Sequence, residues 1–276
     1  MLVQVSVDEE CYRNRTLYSS ENFILFYIRS MVANKHVLIL GCGRSGTSIF
    51  GELFQHLPSY SYFSEPPLVE VLEQDSPQPI AVKVPRESEG FPPDEGLSFP
   101  LSVLIEKLPS LQIFWQVRHP LDTICSLKVG IARNWGHHPR PLDWQQWLDR
   151  PLIEQCAHHW DYINTVGFSQ VSSCSVVTRF EDMLADALRF AHSVSQQIHL
   201  DISSNQKYLQ QWANRVQNKN NEQFDEATTS RAYSTQDHSV KVGRWQENMS
   251  KEEMERVLPI IQQTAQQFGY DLPLIS

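Results

Sequence analysis

"HVLILGCGRSGTSIFGELF", residues 36–54, sets the fold of this chain. After His36 the run to Leu40 is short and continuously apolar, as a strand buried on both faces requires. Gly41, Gly43 and Gly46 then break the pattern. From residue 46 to 57 the apolar positions Ile49, Phe50, Leu53 and Leu57 share one face of a helix. Strand, glycine turn and helix together aim backbone N–H groups and a helix N-terminus at an anion, so the stretch reads as a phosphate-binding turn. Thr47 and Ser48 add hydroxyl donors. A glycine turn without a ligand is compatible with the loop by itself.

Two familiar phosphate loops fit only in part. In the pattern G-x-x-x-x-G-K-[ST], Gly41 and Gly46 are correctly spaced, but Thr47 stands where the lysine belongs. The strand at 111–117 runs into Arg118, not into an aspartate that would hold magnesium. The dinucleotide pattern G-x-G-x-x-G accommodates Gly41, Gly43 and Gly46, and needs an acidic residue at the end of the next strand. Glu65 lies near that spacing, which leaves this alternative open. The cation has instead moved inside the loop, to Arg44.

Working outward, a helix with an apolar face is expected at 20–33. A short strand is expected within 59–67, ending at Ser64-Glu65 where Pro66 and Pro67 break the chain, with further strands at 80–85, 111–117 and 174–180. Helices are expected at 99–109, from Pro120 to about 130, at 142–167, 181–197, 204–218 and 250–268. Loops are expected at 86–99 and 131–141, with a polar run at 219–240. Strands of continuous Val, Ile and Leu that alternate with helices predict an α/β fold: three layers, α/β/α, around a mostly parallel central sheet. Ligands in such sheets bind beyond the carboxyl ends of the strands, where residues 41–48, 64–65 and 118–126 fall. The expectation is one domain over 1–276, with 131–170 and 219–247 as segments that cover the site.

Composition narrows the function. The 276 residues are 41% hydrophobic and 20% charged, with a net charge of −9. That balance argues against a nucleic-acid partner, and leans towards a neutral or cationic small molecule. The five cysteines, at 11, 42, 125, 156 and 174, are odd in number and form no C-x-x-C pair, so a reduced compartment is expected. Among ten histidines, the pairs His137-His138 and His158-His159 lack metal-ligand spacing, and no metal site is expected. No apolar stretch approaches the roughly 18 residues of a membrane span. "MLVQVSVDEECYRNR" lacks the basic-then-apolar order of a signal peptide. A soluble, cytoplasmic protein is the expectation.

Two further segments carry chemistry. "IFWQVRHPLDTICSLKVG" puts Arg118 at a strand end and Ser126 on the next helix. "HSVKVGRWQENMS" supplies Gly243 and Trp245 with the cations Lys241 and Arg244. In this order, after "GRSGTS", the chain resembles the sulfotransferases that use 3′-phosphoadenylyl sulfate (PAPS) and release adenosine 3′,5′-bisphosphate (PAP). "RSGTSIFGELF" is close to their bacterial and carbohydrate-type branch; the cytosolic steroid and phenol branch has lysine where this chain has Arg44. "VVTRFEDML", 176–184, is similar to the family segment near the adenosine. The basic pair that opens the cytosolic-branch tail motif is absent, since His238 and Ser239 stand there. The resemblance covers most of the chain, from residue 36 to about 247.

The resemblance implies transfer of a sulfonate from PAPS to a hydroxyl or amine, by in-line displacement and with no metal required. Gly43, Arg44, Ser45, Gly46, Thr47 and Ser48 would hold the 5′-phosphosulfate, with Arg44 at the leaving oxygen. Arg118 and Ser126 would hold the 3′-phosphate; Arg suits that task by its planar fork. Lys241, Gly243, Arg244 and Trp245 would close over the nucleotide, although Trp245 is equally readable as a core aromatic. Glu65 is the expected base, against a plain turn-capping role, with His56, His119 and Asp122 as fallbacks. Lys83 would assist at the sulfonate or the acceptor, or else is a snorkelling surface lysine. The loop 131–147 would line the acceptor pocket. A polar or cationic metabolite, such as an alkaloid natural product, is the expected acceptor. Alternatives are a P-loop kinase or nucleotide hydrolase, a glycan sulfotransferase, and a silent nucleotide-binding protein.

Overall fold

The computed structural model describes residues 34–85, 101–137, 139–217 and 242–274. The expected helix at 20–33, the loop at 86–99, the polar run at 219–240, His138 and Lys241 lie outside them.

Five strands form one sheet: β1 (Val37–Leu40), β2 (Ser61–Ser64), β3 (Ile80–Lys83), β4 (Gln112–Val117) and β5 (Ser175–Arg179), in the order β2-β3-β1-β4-β5. Every neighbouring pair is parallel. The apolar character of β1 follows from its central place. Val37 and Ile39 face one core and Leu38 and Leu40 the other, so no residue of the strand meets water.

The first core packs β1 against α1 (Thr47–His56), α6 (Phe180–Ala185), α7 (Ala187–Gln197) and α8 (Ile202–Gln217). Phe50 of α1 meets Phe114 of β4 edge-on, with ring centroids 5.3 Å apart. On the opposite face lie α3 (Leu101–Lys107), α4 (Pro120–Ile131), α5 (Leu152–Tyr162) and α10 (Lys251–Gln267). Pro120 takes the first position of α4, where its missing N–H does no harm. A reciprocal Ser250–Glu253 capping box starts α10.

Three elements differ from expectation. The single helix expected at 142–167 is a 3₁₀ turn, Trp144–Trp147, then α5, then a π turn over Ile163–Gly167. Pro151 is extended at φ −50° and ψ 140°, and starts α5 instead of lying within a helix. Two short helices were not anticipated: α2 (Leu68–Leu72) directly after Pro67, and α9 (Trp245–Asn248).

The chain leaves β1 towards one face and β4 towards the other. The carboxyl ends of these adjacent strands therefore diverge into a crevice, the place where α/β sheets bind ligands.

Candidate active site

The turn after β1 is built by close approaches that a side chain would block. A Cβ on Gly41 would lie 2.3 Å from the Gln116 carbonyl oxygen of β4. Gly46 has φ +91°, and a Cβ there would lie 2.3 Å from the Phe180 ring. Ser45 closes the turn internally: its N–H and its hydroxyl both donate to the Cys42 carbonyl, at 3.1 and 2.7 Å. Arg44, between them, is held at φ 72°, a strained region for a residue with a side chain. No side chain caps the N-terminus of α1, so its first N–H groups face the crevice, as an anion requires.

Arg44 and the second motif meet directly. The Arg44 Nε donates to the Ser126 Oγ of α4 at 2.9 Å, and the Arg118 Nη1 donates to the Arg44 carbonyl at 3.4 Å. Arg118 is 6% exposed and lies 4.4 Å over the Phe180 ring. Burial pulls its guanidinium below the ordinary arginine range, and the carboxylates of Asp122 and Glu181 oppose that pull.

At the ends of β2 and β3 lies a third cluster. The Lys83 ammonium donates to Ser48 Oγ at 3.0 Å and to Glu65 Oε1 at 2.8 Å. Lys83 is 4% exposed, so the snorkelling reading does not describe it. Glu65 has φ 51° and Val84 has φ 40°. A β-branched residue there is a genuine outlier, held in part by the Val84 N–H donating to the Ile39 carbonyl at 2.9 Å. Residues in the left-handed region thus stand after β1, β2 and β3, at the same edge of the sheet. Strain of this kind clusters at functional sites.

Asp122, one of the expected fallback bases, is occupied otherwise. Its carboxylate is buried and accepts the Gly243 N–H and the Trp245 N–H, each at 2.9 Å. Trp245 stacks on His119, with the rings 6° from parallel and their centroids 5.9 Å apart. The His119 N–H donates to Glu181 at 2.7 Å, and the Tyr270 hydroxyl donates to the other oxygen of Glu181 at 2.9 Å. Burial lowers the pKa of His119. His56, the remaining fallback, sits on the far end of α1 and bonds the Glu52 carbonyl.

Of the loop expected to line an acceptor pocket, His137 lies beside the glycine turn after β1. The His137 imidazole lies against the backbones of Gly43 and Gly130. His158 pairs with Asp143 at 2.7 Å and stacks on Trp147 at 4.0 Å, while buried His159 accepts the Trp135 indole N–H at 3.2 Å. Among the described residues no group of three or more His, Cys, Asp or Glu is placed to hold a metal ion. No helix among them is long and apolar enough to cross a membrane. Sequence reasoning missed the roles of Glu181 and His137. Glu181 stands in the quoted "RFEDM", but nothing local shows what its carboxylate holds.

No protein-family model matches the chain, and no curated protein matches it. Solved structures do. A mouse sulfotransferase, SULT7A1, complexed with PAP is 13% identical, with a TM-score of 0.55 over 90% of each chain. Retinol dehydratase in a complex with retinol and PAP is 14% identical, with a TM-score of 0.49 over 88% of this chain and 84% of that one. Sulfotransferase STF9 from Mycobacterium avium is 10% identical, with a TM-score of 0.47 over 91% and 82%. The likeness to the mouse protein shows that this chain has the sulfotransferase fold.

Proposed function

We propose that the chain transfers the sulfonate of PAPS to a hydroxyl or amine of a small molecule. The observation that carries this reading is the Lys83 ammonium, which joins Ser48 of the phosphate turn to the Glu65 carboxylate at 3.0 and 2.8 Å. A cation at the turn and a carboxylate just beyond it are what sulfuryl transfer needs: charge neutralisation on the leaving phosphate, and a base for the acceptor proton.

The residues present fit a bisphosphorylated nucleotide. The glycine turn and the uncapped α1 N-terminus suit the 5′-phosphate, with Thr47 and Ser48 at the start of that helix. Arg118 and Ser126 suit a 3′-phosphate, and Arg244 with Trp245 the nucleotide's outer side. The Lys241 role is carried from the resemblance alone. When bound, PAPS supplies an activated sulfonate. Arg44 and Lys83 would neutralise charge on the 5′-phosphate as its bond to sulfur breaks and PAP leaves, and Glu65 would take the acceptor's proton as the acceptor's new bond to sulfur forms. Ser45 acts through the turn it closes. No step calls on a metal.

The finer reading is one domain over 1–276, a cytoplasmic enzyme of the bacterial or carbohydrate-type branch. Its acceptor is a polar or cationic metabolite, such as an alkaloid natural product, in keeping with the net charge of −9. Segment 131–147 borders that acceptor, since His137 lies against the Gly43 backbone.

Calorimetric titration with PAP, and separately with ADP and magnesium, tests the reading. Tight PAP binding with weak ADP binding is expected, followed by an acceptor screen with PAPS. The reverse preference would replace it with the kinase-like alternative.

A further inference from the structure

We infer that Asp122 is the positioning residue that assembles the 3′-phosphate site, by drawing Arg244 of the C-terminal turn up to Arg118. The inference rests on the PAPS reading and adds to it a residue that touches no ligand.

The geometry begins with a buried charge. Asp122 is 1% exposed, in the first turn of α4. A carboxylate taken out of water must be matched by donors, or the fold loses stability. Asp122 takes its donors from far along the chain: Oδ2 accepts the Gly243 N–H and Oδ1 the Trp245 N–H, both at 2.9 Å. Arg244 lies between those two donors, so the clasp fixes its backbone from both sides. The same Oδ2 faces the Arg118 guanidinium at 3.8 Å. Trp245 is then laid flat against His119, the residue between Arg118 and Pro120.

One consequence is electrostatic. Burial is the main cause that lowers the Arg118 pKa; Asp122 and Glu181 oppose it, and Arg244 lies near enough to lower it further. Two guanidinium groups at close quarters repel, and a protein gathers them where a multiply charged anion will bridge them. A phosphate monoester, close to a dianion at neutral pH, fits that arrangement; a neutral ribose hydroxyl does not. Asp122 also restrains the Arg118 fork, which the Phe180 ring and the Arg44 carbonyl hold on its other sides. The carboxylate thus acts on the phosphate through two arginines.

Asp122→Asn keeps the size of the side chain but turns one acceptor oxygen into an NH₂ that opposes a backbone N–H. Calorimetry of this variant and of the unaltered protein, each with PAP and with AMP, separates the possibilities. We expect the variant to bind PAP at least about tenfold more weakly, with AMP affinity within about threefold and full stoichiometry for both. Stoichiometry reports the folded fraction, so misfolding would lower it without changing the PAP-to-AMP affinity ratio. Equal weakening of both ligands, or none, in a protein whose unaltered form prefers PAP would overturn the inference. No PAP preference in the unaltered protein would overturn the PAPS reading itself. A second measurement needs no variant: amide hydrogen exchange at Gly243 and Trp245 should slow on adding PAP and not on adding AMP. The same protection with both ligands would also count against Asp122.

Discussion

At the ends of β1 and β4, Arg118 is 6% exposed and is held by a carbonyl, an aromatic face and the Asp122 carboxylate, while Arg44 is tied to Ser126 across the crevice. At the ends of β2 and β3, the Glu65 side chain is 36% exposed, and its carboxylate accepts the Lys83 ammonium at 2.8 Å. The cations of the first half of the crevice are each held by several protein groups. The second half presents a partly exposed carboxylate, the proposed base, towards solvent. On the proposed reading, a nucleotide that is always the same justifies rigid restraint, and a part-exposed carboxylate beside a buried cation suits a separate acceptor.

Changes at the second half should damage turnover and spare nucleotide affinity. The largest effect is expected from Glu65→Gln, which keeps shape and removes the proposed base: kcat should fall by about 10²–10⁴, with PAP affinity unchanged by calorimetry. Unaltered turnover would remove Glu65 as the base. Lys83→Met follows. It takes the cation from both Ser48 and Glu65, and kcat should fall by about 10²–10³ in steady-state assays with PAPS.

A change at the first half should do the opposite. Arg118→Gln removes a buried charge facing Asp122, and PAP affinity should fall by about 2 kcal/mol, with AMP affinity little altered. If AMP binding fell equally, Arg118 would serve the whole nucleotide and the contrast between its two phosphates would fail.

The smallest effect concerns the helix that leaves the phosphate turn. Burial pushes the Glu52 carboxyl up to about 7, and Arg215 opposes the shift. In the unfolded chain a glutamate ionises near about 4.3, so between these values the native state holds a proton that the unfolded state has lost. Stability conferred by the protonated carboxyl is therefore lost as pH rises through that window. Glu52→Gln should remove this dependence and gain roughly 1 kcal/mol at pH 8 relative to pH 5, read from urea unfolding at both values. An unchanged pH dependence would show that Arg215 already compensates the charge.

The contrast also shows how far local pattern reaches. VLIL and the apolar start of IAVK were legible as buried strands, because burial on both faces leaves little room for polar positions, and SVVTR, a half-buried edge strand, was legible from its β-branched residues. Gly46 was legible, because a left-handed turn against a helix start has few solutions. The long helix at 142–167 was not, because an apolar periodicity continued past Pro151 while the backbone could not. In the crevice, residue types pointed to Arg44, Arg118 and Ser126, yet nothing local showed that Arg44 and Ser126 bond each other.

From the sequence alone came the parallel α/β sheet, the glycine turn between strand and helix with Arg44 inside it, and the order of the segments around it. Periodicity and glycine placement are local properties, and they survive in a one-dimensional string. The tertiary structure alone decided that Lys83 would be buried between Ser48 and Glu65, and that the Asp122 carboxylate would hold the backbones of Gly243 and Trp245. Those partners lie on separate strands and turns. They meet only because β3 pairs beside β1, and because the C-terminal turn comes back onto α4. Register and packing across the sheet choose such contacts, and no short stretch of residues encodes them.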